Sequence, residues 1–95
     1  MQTKLTDEEI RKELEKLAGW HKKENAIERI FEFPDFLNSM RFVNRIAGEA
    51  EQAQHHPDFA ISYNRVSLSL TSHDSGGVTE RDVKMAHRIN EIAGP

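Results

Sequence analysis

A chain of 95 residues, 37% apolar and 31% charged, has the length for one domain and a rather small core, burying roughly 60–65% of its unfolded surface. Its net charge of −3, with no lysine or arginine run, argues against nucleic acid or an anionic membrane as a direct partner. The lack of cysteine excludes disulfides, thiolate catalysis and cysteine-ligated metals; with no signal-peptide pattern and no long apolar run, the expected compartment is the cytoplasm.

In chain order, Thr6 and Glu9 form a capping box, and Leu5 against Ile10 forms a hydrophobic staple. Ile10, Leu14 and Leu17 keep helical spacing up to Gly19, which predicts a helix over 7–18. Residues 20–23 and 26–33 read as two strands of a hairpin around a Glu24-Asn25 turn. The adjacency of Ile30 and Phe31 spoils a clean alternation and suggests apolar cover on both faces. Pro34-Asp35 breaks the strand and caps a second helix. Its stripe of Phe36, Met40, Val43, Ala47 and Ala50, flanked by Leu37, Phe42 and Ile46, is wide for so small a domain. Such a helix is either sunk in its own core or packed on one side against another subunit.

After it comes Glu51-Gln-Ala-Gln-His55-His56-Pro57-Asp58-Phe59, a loop joining helix to strand. Phe59, Ile61 and Tyr63 alternate as a third strand, Asn64-Arg65 is the expected turn, and Val66, Leu68 and Leu70 form a fourth strand. By parity His73 falls on the polar face with Ser67, Ser69 and Thr71. Asp74 to Gly77 is a loop; Thr79 and Asp82 open a last helix along Val83, Ala86, Ile89 and Ala93, ended by Gly94-Pro95. The order α-β-β-α-β-β-α predicts an α+β fold over residues 1–95, a two-layer, four-stranded antiparallel sheet with helices on one face.

The chemistry-bearing groups are the histidines. Imidazole titrates near neutrality, so His55 and His56 are candidates to give and take protons. Pro57 restricts His56 to extended backbone. As a bare dipeptide the pair reads first as solvated loop residues. His73 at a strand end, Glu51 one helical turn before His55, and Asp82 in a helix's first turn each have an ordinary surface or capping role open to them. No His-x-His or His-x-x-x-His spacing supports a metal site, and none is expected. Gly76-Gly77 is a turn signal and no phosphate-cradling loop appears.

Taken together, Glu51, His55-His56-Pro57, Tyr63, His73 and Asp82, with Gly19-Trp20, the Ile27-x-Arg29-x-Phe31-x-Phe33 strand and the Ser72 to Gly77 loop, resemble the pterin-4a-carbinolamine dehydratase family. The resemblance runs from about Leu5 to Ala93. It implies a lyase that dehydrates 4a-hydroxytetrahydropterin to the quinonoid dihydropterin without cofactor or metal, in tetrahydrobiopterin recycling after aromatic amino acid hydroxylation. It implies His55, His56 and His73 as catalytic residues, and Pro57, Ser72, Asp74 and Ser75 with them as substrate-binding residues. Glu51, Asp82 and Phe59 would support them, Phe59 standing where a tryptophan is common. The implied partners are a pterin, further copies in a homodimer or homotetramer, and a functional link to phenylalanine hydroxylase. Two alternatives stay open: a non-catalytic interaction module of the coactivator kind on the same fold, and binding of another pterin such as a molybdopterin-related compound.

Overall fold

The computed structural model describes residues 3–94, so Pro95 lies outside the described residues. Its elements are α1 (Asp7–Leu14), β1 (His21–Lys23), β2 (Ala26–Glu32), α2 (Phe36–Ala53), β3 (Asp58–Ser62), β4 (Arg65–Leu70) and α3 (Glu80–Ala93), with a 3-10 turn at His73–Ser75. The order and the α+β class are those expected. The strands make one antiparallel sheet in the order β1-β2-β4-β3.

Parity sets the two faces of the sheet. Ile27 and Phe31 of β2 stand opposite Leu70 and Val66 of β4, and all four are buried. Ile10 of α1, Phe42 and Ile46 of α2, and Val83, Ala86 and Ile89 of α3 join them in one core cluster, so the helices cover this face. Phe31 and Ile30 point to opposite sides: Phe31 is 5% exposed in the core, and Ile30 is 48% exposed on the open face.

Both capping boxes form, Thr6 with Glu9 and Thr79 with Asp82. Leu5 and Ile10 are both buried in the core cluster, the placement a staple needs. α1 is shorter than its periodicity suggests. It gives way after Leu14 to tight i to i+3 bonds, Lys16 N–H to the Glu13 carbonyl and Leu17 N–H to the Leu14 carbonyl, and these bring Leu17 into the core. Gly19 follows with φ +84°, and a Cβ there would stand 2.5 Å from Arg29 Nε. Trp20 lies outside β1; its indole is buried and donates to Asn90 Oδ1 at 2.8 Å.

Two further boundaries differ. The hairpin turn is Tyr63-Asn64, one residue earlier than expected, because Ser62 pairs with Arg65 and Asn64 binds Phe33 through its carbonyl (2.8 Å) and its side-chain amide (3.1 Å). α2 runs on to Ala53 and is not sunk in the core. Ser39, Phe42, Ile46 and Ala50 are its buried face, while Phe36 and Leu37 are 50% and 57% exposed. Among the described residues no helix is long and apolar enough to cross a membrane.

Candidate active site

The end of α2 builds the site. Gln54 takes a left-handed conformation (φ 53°, ψ 39°), uncommon for a residue with a side chain, and so turns the chain out of the helix. The His55 N–H still bonds the Ala50 carbonyl at 3.1 Å, so His55 stays against the helix end and is buried. Pro57 is buried behind the loop where the chain enters β3.

The adjacent histidines meet different carboxylates. His55 Nε2 lies 2.5 Å from Asp82 Oδ1, with side chains 10% and 0% exposed. His56 Nε2 lies 2.5 Å from Glu51 Oε2, with side chains 56% and 75% exposed. Glu51 thus does reach the loop, but its partner is His56 and not His55, because of the turn at Gln54.

Asp82 is the best-held group of the site. Its Oδ2 accepts from Ser72 Oγ at 2.9 Å and from the Thr79 N–H at 2.8 Å, and Ser72 Oγ also lies 2.9 Å from Thr79 Oγ1. Ser72 is fixed by a two-way backbone bridge to Gly77. A helix cap and a histidine partner are therefore one residue.

The 3-10 turn then carries His73 to the surface. An open cleft of about 340 Å³ is lined by His55, His56, Ser72, His73, Asp74 and Arg81. That size lies within the roughly 300–1,000 Å³ of small-molecule sites. Arg81 Nη2 donates to Asp74 Oδ1 at 2.6 Å, and this bond from the guanidinium holds the Asp74 carboxyl below the usual carboxylate range. Three imidazoles around one cleft, two of them backed by carboxylates, offer proton donors and acceptors at working pH. Among the described residues no group of three His, Cys, Asp or Glu side chains is placed to hold a metal ion.

The pterin 4 alpha carbinolamine dehydratase family model matches residues 3–92. The chain belongs to that family. A Koribacter versatilis (strain Ellin345) protein bearing the family's name is 60% identical over 92 residues, 97% of this chain and 98% of its own. The crystal structure of a transcriptional coactivator/pterin dehydratase from Brucella melitensis matches with a TM-score of 0.93 and 42% identity, over 97% of this chain and 100% of that one. A pterin dehydratase-like protein identified as a RuBisCO assembly factor in the alpha-carboxysome shares the fold, with a TM-score of 0.65 and 21% identity over 79% of this chain and 87% of that one.

Some residues read as part of the dehydratase-family pattern stand apart from the cleft. Tyr63 is 66% exposed at the hairpin tip. Phe59 pairs with Leu68 on the helix-facing side of the sheet and packs on the core. Ser75 is one residue beyond Asp74, its hydroxyl 3.5 Å from Asp74 Oδ1, and neither it nor Pro57 lines the cleft. Sequence reasoning missed Arg81, Thr71 and Gln54, which do line it. Arg81 left one signal: a cation in a helix's first turn opposes the macrodipole and so calls for another reason to be there.

Proposed function

We propose that the chain dehydrates 4a-hydroxytetrahydropterin to the quinonoid dihydropterin by histidine acid–base catalysis. The observation that carries this reading is the facing of His55, His56 and His73 onto one cleft in a chain of this family. The reaction breaks the bond from C4a to the hydroxyl oxygen, and the N5 electron pair forms the C4a=N5 double bond. N5 loses its proton, the departing hydroxyl gains one, and water leaves.

In this reading His55 takes the N5 proton. Asp82 already accepts two hydrogen bonds on Oδ2, so its Oδ1 accepts from His55 Nε2–H, and Nδ1 carries the free electron pair. His56, exposed and beside Glu51, protonates the leaving hydroxyl and regains its proton from solvent. His73 orients the pterin, with Ser72 and Asp74 offering hydrogen bonds to the heterocycle. Each acid or base contributes about 10²–10⁴-fold. The product would feed tetrahydrobiopterin recycling beside an aromatic amino acid hydroxylase such as phenylalanine hydroxylase. Homodimers or homotetramers are part of the proposal; the outer edge of β3 and the exposed Phe36 and Leu37 of α2 offer surfaces for them.

The test is the rate at which enzymatically generated 4a-hydroxytetrahydropterin loses water, followed by ultraviolet absorbance with and without the protein. Acceleration supports the dehydratase; no acceleration by folded protein overturns it. A second reading, a non-catalytic partner-binding module, is favoured by the exposed apolar end of α2 and by the coactivator description of the Brucella melitensis protein. It predicts that Leu37→Glu abolishes partner binding while loss of the histidines leaves it intact.

A further inference from the structure

A second cavity of about 250 Å³ lies between the C-terminal half of α2 and the N-terminal half of α3. His55 and Arg81 line both this cavity and the histidine cleft, so the two share a wall. Its floor is apolar, from Ala53 and the buried Met85. Around that floor stand Arg81, Lys84 and Arg88, against the lone carboxylate of Glu49. Glu49 is already taken by Arg88 Nε at 2.5 Å, which holds its carboxyl below the usual range. Arg81 gives Nη2 to Asp74 and keeps a buried Nε with no hydrogen-bond partner. Lys84 has no ion-pair or hydrogen-bond partner among the described residues. The pocket is therefore apolar at its base and positive at its rim, and nothing in the dehydration step uses it.

The chemistry of the pterin says what belongs there. C6 is bonded to N5, so the C6 substituent leaves the ring beside the proton that His55 takes. His55, one of the two side chains common to both cavities, is the one that stands where ring and substituent part. We propose, resting on the dehydratase reading above, that this cavity receives the C6 substituent of the pterin and selects one that carries an anionic group. A phosphate ester and a carboxylate supply the same charge, and both fit an apolar slot ending at Lys84 and Arg81.

The test compares three 4a-hydroxytetrahydropterins: one with a neutral dihydroxypropyl chain, one with a phosphorylated trihydroxypropyl chain, and one with an aminobenzoylglutamate chain. The expected result is a kcat/KM about tenfold higher for at least one anionic chain, seen mainly in KM and shrinking with added salt, as one partly screened charge pair would give. Lys84→Glu should abolish that preference and Lys84→Arg keep it; Lys84 is exposed, so neither threatens the fold. The more favoured of the two anionic chains identifies the source of the charge. Equal kcat/KM for all three, or a preference that survives Lys84→Glu, overturns the inference and leaves the dehydratase standing. If the parent protein dehydrates none of them, the dehydratase reading falls. Fluorescence titration with the stable 7,8-dihydropterins bearing the same chains then reads the cavity alone. Tighter binding of an anionic chain that Lys84→Glu removes supports it, and equal binding overturns it.

Discussion

His55 and His56 are neighbours in the chain and make the same 2.5 Å contact with a carboxylate, yet their surroundings are opposite. The His55–Asp82 pair is buried, with Asp82 wholly inside and tied into Ser72 and Thr79, and only the His55 ring reaching the cleft. The His56–Glu51 pair stands in solvent, where an ion pair is worth about 0.2–1 kcal/mol. Equal distances thus conceal unequal rigidity. In the proposed reaction the held imidazole serves as the base and the solvent-exposed one as the acid.

The comparison can be broken most severely at the buried pair. His55→Ala should lower the dehydration rate about 10²–10⁴-fold. Asp82→Ala should do the same and also destabilise, because the buried Thr79 N–H loses its acceptor and Ser72 Oγ keeps only Thr79 Oγ1. A stranded N–H costs about 1–3 kcal/mol, which a thermal melt of a chain this size reads as a fall of at least about 4 °C. His56→Ala should separate the two effects, lowering the rate about 10²-fold while stability stays within about 0.5 kcal/mol of the parent. Rates and melting curves on the same samples check all three.

The smallest effect belongs to Asp74. Its folded pKa is depressed by the Arg81 guanidinium, so its contribution to stability is present above the unfolded carboxylate pKa of about 3.9 and is lost as pH falls through the lower folded value. Asp74→Asn should therefore lower Tm slightly at pH 7 and leave it unchanged at a pH below that value. A Tm difference that persists in acid would show that Asp74 acts through something other than its charge.

The element order, both capping boxes and the faces of β4 were legible in the sequence, because caps and two-residue alternation are local patterns. The end of α1 and the shift of the turn to Tyr63-Asn64 were not; both follow from tertiary demands, the seating of Leu17 and the bonds between Asn64 and Phe33. At the site, the His-His-Pro run, His73 and Asp82 emerged from the resemblance to the family, since residue type alone left each an ordinary loop, surface or capping role. Which carboxylate serves which histidine did not, because it depends on a left-handed Gln54 that no local pattern requires. Phe59 does not line the cleft: strand parity aims it at the helices. Arg81 was passed over because a single cation at a helix start carries little weight until Asp74 is seen beside it.

The most direct measurement sets Asp82→Asn against Glu51→Gln in single-turnover dehydration of 4a-hydroxytetrahydropterin. Both changes keep shape and remove charge. Asparagine at 82 would donate to His55 Nε2 and force the proton onto Nδ1, the wrong tautomer for a base. The account predicts a loss of at least about 100-fold for Asp82→Asn and of no more than about fivefold for Glu51→Gln, with both variants folded. Equal losses, or a larger loss at Glu51, would contradict the unequal roles of the two histidines.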